Sequence, residues 1–166
     1  MSRLFVLAMV LSGLLLATTG AASAQTTDFS AKILGHVTRP SGGCPQGADL
    51  CGEAAIDGFG SAQYLIVFTS FEPTSDACGD YTATTTFTLE DGSTLTLDES
   101  GVACGPDHSF LKGPLFTSYG NPRAFSGNWE MQDATGQFAG MTGSGADAGL
   151  TAGAAVKATY RGTLGD

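Results

Sequence analysis

The chain is poor in basic residues: 7 Lys and Arg stand against 16 Asp and Glu, a formal net charge of −9. Nucleic-acid binders and proteins that dock on anionic lipid need basic patches, so both classes are excluded. Only two histidines and one tryptophan are present, and charged residues make up 14% of the chain. No HExxH, P-loop or EF-hand pattern occurs, and Asn121 is followed by Pro122, which removes the only glycosylation-like start near it. No convincing amphipathic helix can be drawn beyond the first two dozen residues. No second long apolar run follows either, so no membrane association is expected once the leader is gone.

The leader itself is clear. Arg3 supplies a positive start, Leu4 to Ala17 is apolar apart from Ser12 and Gly13, and Ala22-Ser23-Ala24 offers a small-residue cleavage site. The apolar run falls short of the roughly 20 residues that a spanning helix needs. Residues 1–24 therefore read as a secretory signal peptide, and residues 25–166 as a single disulfide-stapled domain that is secreted or periplasmic.

Four cysteines are present: Cys44, Cys51, Cys78 and Cys104. An even count in an exported chain implies disulfides. The gaps between them match neither a zinc knuckle nor a zinc ribbon, so no metal and no cofactor are expected. Three pairings are formally open, and a hairpin chooses among them. Residues 81–97 read YTATTTFTLEDGSTLTL. Tyr81, Ala83, Thr85, Phe87 and Leu89 share one face, Leu95 and Leu97 continue it, and the intervening threonines take the other. A three-residue loop, Glu90-Asp91-Gly92, places Phe87 opposite Leu95 and gives Gly92 the left-handed position. The same register carried outward sets Cys78 opposite Cys104, provided that Gly101 makes no bulge. Cys44 and Cys51 are left to close a short loop. In the chain-entropy description the longer link contributes roughly 3.6 kcal/mol and the shorter about 2.5.

Elsewhere, Gln25 to Ser30 reads as a polar lead-in and Lys32 to Thr38 as a strand. Pro40 to Gly52 reads as a loop. Gly60 to Phe71 reads as a long strand covered on both faces, Arg123 to Met131 as a strand carrying Phe125, Gly127, Trp129 and Met131 on one face, and Ala154 to Leu164 as a closing strand. A short strand is expected near Phe110 to Phe116. About eight strands separated by turn signals indicate an all-β antiparallel closed barrel, with a β-sandwich as the alternative. Glycine is abundant, 24 residues, and glycine inside strands marks bulges and tight barrel corners, which favours the barrel.

The segment Asp133 to Gly145 carries Thr135, Gly136, Phe138, Gly140, Gly143 and Gly145 in a TG-x-F-x-G-x-x-G-x-G arrangement. It resembles an element of the allene-oxide-cyclase-like and dirigent-like barrels of exported bacterial proteins. The resemblance runs from Phe125 onward. It implies an eight-stranded antiparallel barrel with a ligand-sized interior, which in the plant enzymes cyclises an unsaturated epoxide without a cofactor and in dirigent proteins steers radical coupling. No residue here matches the catalytic carboxylate of those enzymes, so none is carried over.

Candidate chemistry is sparse. Asp107-His108-Ser109 holds the residue types of a hydrolase triad, but sequence neighbours cannot face one another in a relay. His36 reads as a surface group on its strand, with a base at the barrel mouth as the alternative. Glu90, Asp91, Asp98 and Glu99 read as a charged, exposed hairpin. Tyr64, Phe68, Tyr81, Phe87, Trp129 and Tyr160 are the candidate lining of the interior, and Glu130 and Asp133 the acids nearest its rim. The expected function is binding of a small apolar ligand or a surface partner. The alternatives are a cofactor-free isomerase or cyclase, and a purely structural secreted domain. Peptide mapping without reductant is expected to return a Cys78–Cys104 linked peptide; a Cys44–Cys78 link would overturn the register.

Overall fold

The structure is a computed structural model that describes residues 26–37, 43–105 and 123–166. The expected signal peptide, the strand expected near Phe110 to Phe116 and the Asp107-His108-Ser109 triplet lie outside the described residues. Eight strands run in chain order: β1 (Thr26–Val37), β2 (Leu50–Ile56), β3 (Gly60–Pro73), β4 (Cys78–Leu89), β5 (Thr94–Cys104), β6 (Arg123–Ala134), β7 (Thr142–Ala152) and β8 (Ala155–Gly165). Each pairs antiparallel with the next, and β8 returns to pair with β1, so the sheet is a closed barrel without a free edge.

The β4–β5 hairpin has the register that its alternation demands. Phe87 faces Leu95, Thr85 faces Leu97, and the ladder runs without a bulge to Cys78 opposite Cys104. Gly92 turns at φ 85°, the left-handed conformation that an L side chain rarely adopts. Both disulfides are formed, Cys44–Cys51 and Cys78–Cys104, and no cysteine is free. Two disulfides are consistent with an oxidising compartment.

Three expectations need correction. β1 begins at Thr26 rather than Lys32, because Phe29, between exposed Asp28 and half-buried Ser30, packs inward at 2% exposure. β2 begins at Leu50, inside the segment read as loop. The outer face of β3 is not covered: Gln63 and Val67 are exposed, and its partly apolar outer residues face solvent as barrel walls can.

The interior is packed by rings set against glycines. Trp129, Tyr64, Tyr160, Phe29, Phe87 and Phe138 are its largest fully buried side chains. Phe29 meets Trp129 edge to face at 5.3 Å, and Phe87 meets Tyr160 likewise at 5.4 Å. Inward positions on the neighbouring strands are kept bare for them. A Cβ on Gly145 would stand 2.6 Å from Cζ2 of Trp129 and against the Arg161 carbonyl, and one on Gly162 would stand 2.5 Å from the same ring atom.

The glycine-rich motif closes one end. Phe138 is fully buried and stacks on Phe59 with ring centroids 4.6 Å apart. Gly136 and Gly140, at φ 59° and 83°, let the chain fold around it. The motif is bolted to the β4–β5 turn: Thr135 and Thr94 hydroxyls lie 2.7 Å apart, the Gln137 N–H donates to Ser93 Oγ at 2.9 Å, and Gln137 Nε2 donates to Asp91 Oδ2 at 2.7 Å.

Gly145→Ala is expected to cost roughly 1–3 kcal/mol of stability, the usual penalty of overpacking a filled core. Urea denaturation measures it, with Ser144→Ala, on the exposed face of the same strand, expected to stay within about 0.5 kcal/mol.

Candidate functional site

Apart from register shifts at Thr69 in β3 and Gln132 in β6, every second strand residue enters the lumen, and two of the residues so placed are acids. Glu99 on β5 follows Leu95 and Leu97 on the inward face and pairs with Ala83 and Trp129. Asp147 on β7 follows Gly143 and Gly145 and pairs with Gly127 and Tyr160. Their exposures are 5% and 3%. A carboxylate this far from water is costly unless it is bonded.

Hydroxyls answer part of that need. Tyr81 Oη donates to Asp147 Oδ2 at 3.2 Å. Thr85 Oγ1 and Tyr160 Oη lie 3.3 Å apart, and both engage the Glu99 side chain. The remaining carboxyl oxygens, Glu99 Oε1 and Asp147 Oδ1, are buried without a hydrogen-bond partner, as is Tyr64 Oη. Gly127 gives the space for this arrangement: a Cβ there would press to 2.9 Å from Tyr81 Oη and 3.0 Å from Asp147 Oδ1.

Burial first, and the neighbouring charge of Asp147 second, push the Glu99 carboxyl up to about 8; its bonds from Thr85 and Tyr160 offset only part of this. Burial pushes Asp147 up to about 6, against the pull of the Tyr81 hydroxyl and a backbone bond. Burial also raises Tyr81 and Tyr160 well above the ordinary phenol range, with the two acids adding to it. Both carboxyls therefore hold their protons more tightly than an exposed acid does, Glu99 the more strongly of the two.

Of the residues expected to line the interior, Tyr64, Tyr81, Phe87, Trp129 and Tyr160 are buried there. Phe68 is half-buried, edge to face with Tyr81 at 5.5 Å. Glu130 and Asp133 are exposed. Glu99 does not join the exposed hairpin acids; Glu90, Asp91 and Asp98 do. The signal for Glu99 was its odd number, which puts it on the face of Leu95 and Leu97. The signal for Asp147 was weaker, because its inward neighbours are glycines and show no hydrophobic alternation. At the end away from Phe138, Arg123 and Thr151 face each other on β6 and β7, both buried.

A separate open groove of about 670 Å³ crosses the outer wall over β1, β2 and β3, lined by Lys32, Leu34, Glu53, Ala55, Gln63 and Lys157 among others. Its ionisable residues point to water. The lumen, with its buried acids and unpaired oxygens, is the stronger candidate. No known family, no curated protein and no solved structure matches the chain.

Stability should depend on pH through this pair. In the unfolded chain both carboxyls titrate near 4. In the barrel both hold their protons more tightly, so the folded state binds more protons between about pH 4 and 8. The stabilisation from keeping them neutral is complete below about pH 4 and drains away as pH rises through 6 and then 8. The melting temperature is expected to be roughly 5 °C or more higher at pH 5 than at pH 8.5, an order-of-magnitude figure for a few kcal/mol. Glu99→Gln should remove more than half of that difference; an unchanged difference would place the titration elsewhere.

Proposed function

We propose that the acid pair in the barrel lumen is a small-molecule site, reached by a hydrogen-bond donor, a hydroxyl or an amine, of a ligand for which the packed rings around it must part. The observation that carries this reading is the pair of buried, unpartnered oxygens, Glu99 Oε1 and Asp147 Oδ1. Each buried oxygen left unpaired costs about 1–3 kcal/mol; a ligand donor recovers it at Asp147 Oδ1, and the same hydroxyl or amine can accept from Glu99 Oε1 where that oxygen carries the proton. The surrounding rings suit an apolar body. The leader and the two disulfides support action outside the cytoplasm, secreted or periplasmic.

A second reading is favoured by the separation of the two acids in proton affinity. A carboxylate beside a carboxylic acid is the arrangement by which one site both takes and returns a proton. Asp147 is then the base and Glu99 the acid of a cofactor-free isomerisation or cyclisation. The likeness of the glycine-rich motif to allene-oxide-cyclase-like barrels supports the same direction.

Native mass spectrometry of protein purified from its source tests the first reading: a bound small molecule, released on denaturation, is expected. Asp147→Asn should weaken its rebinding by roughly ten- to a hundredfold, the value of one hydrogen bond to a charged acceptor. Bare protein that takes up no apolar alcohol or amine from a ligand panel would overturn it. Conversion of the released molecule, rising above about pH 6 and falling above about pH 8, would select the second reading.

A further inference from the structure

The β1–β2 register seats His36 directly opposite Cys51, and the disulfide draws Cys44 to the same place. His36 Nε2 stands 3.3 Å from Cys51 Sγ and 3.2 Å from the Gly43 carbonyl. One donor atom from each of His36, Cys44 and Cys51 lies within 4.8 Å of the others. Among the described residues this is the only cluster of three such side chains. His36 is exposed, Cys44 half-buried and Cys51 buried, so the cluster opens to solvent on one side.

While the sulfurs are bonded to each other, neither is a thiolate ligand. Reduction changes this. A dithiol reductant delivers two electrons and two protons, the S–S bond becomes two thiols, and the reductant leaves as its own disulfide. Two thiolates and an imidazole then form a Cys₂His set. Zinc–sulfur bonds of about 2.3 Å and a zinc–nitrogen bond of about 2.0 Å place tetrahedral ligand atoms roughly 3.5–3.8 Å apart. The 3.3 Å between His36 Nε2 and Cys51 Sγ is close to the nitrogen–sulfur value, and the two sulfurs reach theirs once reduction lets them part. We propose that the reduced protein binds one Zn²⁺ through Cys44 Sγ, Cys51 Sγ and His36 Nε2, with the disulfide and the metal as mutually exclusive occupants of the site.

Binding displaces two thiol protons and leaves the fourth zinc position to water. The segment that carries Cys44 does not depend on the disulfide alone for its place. The Asp49 N–H donates to the Ile66 carbonyl at 2.8 Å, and the Phe68 N–H donates to Asp49 Oδ2 at 2.9 Å. Ala48 is buried beside them. These bonds hold the loop against β3 after the sulfurs part. The cysteine gaps alone concealed the site, because its third ligand comes from the neighbouring strand.

The test uses the mature chain reduced with a phosphine, with Zn²⁺ measured by competition against a chromophoric chelator and Co²⁺ as the spectroscopic probe. The expected result is one metal per reduced chain and none per oxidised chain, with a thiolate-to-cobalt charge-transfer band. His36→Gln should weaken binding at least tenfold, and the Cys78→Ser, Cys104→Ser double variant should keep it. No uptake by the reduced chain, equal affinity in the His36 variant, or loss in the Cys78, Cys104 variant would each overturn the proposal. Should the variants misfold, zinc must still shield Cys44 and Cys51 from alkylation in the native sequence while leaving Cys78 and Cys104 open; equal alkylation of all four overturns it.

Discussion

In a closed barrel the two-residue period of a strand has no way out: every second side chain enters the lumen, whatever its chemistry. An open sheet can leave one face wet, but here closure of β8 onto β1 removes that freedom. The core, the disulfide opposite β4 and β5, and the buried acids all follow from this one parity. A one-residue slip of β5 against β4 would expose Leu95 and Leu97, separate Cys78 from Cys104 and expel Glu99 to water. Core, staple and candidate site are thus locked to a single register.

Parity decides which residues go in, and volume decides whether they fit. The lumen holds an indole, several phenol and phenyl rings, and the Leu and Ile side chains packed around them. They are accommodated because facing positions carry no side chain at all: Gly145 and Gly162 lie beneath Trp129, Gly149 beneath Phe125, and Gly79 beneath Phe71. Large against small is the packing rule of narrow barrels. It also explains the high glycine content better than flexibility does, since these glycines are inside strands and pressed against rings. The turn glycines, Gly92 and Gly136 among them, are there for their backbone.

These two rules set what could be read from the sequence. Where apolar and β-branched residues alternate, as in β4 and β5, parity was visible and the disulfide pairing followed from it. Glu99 was equally visible by number, but a local grouping with Glu90, Asp91 and Asp98 hid it; charge clustering along the chain is a poorer guide than face. Where inward residues are glycine, as in β7, the alternation has no hydrophobic signature, and Asp147 could not be told from a surface acid. The first half of β1 was masked by its exposed Thr26, Thr27 and Asp28, and the start of β2 by the Pro and Gly residues just before it. Contacts across strands that are distant in sequence, such as Tyr81 with Asp147 or His36 with Cys51, require the barrel order and are not legible before it.

A core built on these rules would be most stable with apolar residues at positions 99 and 147. Leucine at either would remove an ionisable group whose charged form is disfavoured and whose outer oxygen has no partner. The carboxyl groups are not what closes the fold: closure rests on ladders, rings, the Phe138 plug and two disulfides, although the Tyr81 and Tyr160 hydroxyls turn to the acids. Nor do the acids neutralise each other, since both carry charge of the same sign when ionised. What they do create is a difference in proton affinity across a few side chains, sustained by burial and by the placement of Tyr81, Thr85 and Tyr160. Local rules broken at a cost, in a scaffold otherwise consistent with them, are the ground on which the proposed function is placed in the lumen between β5 and β7.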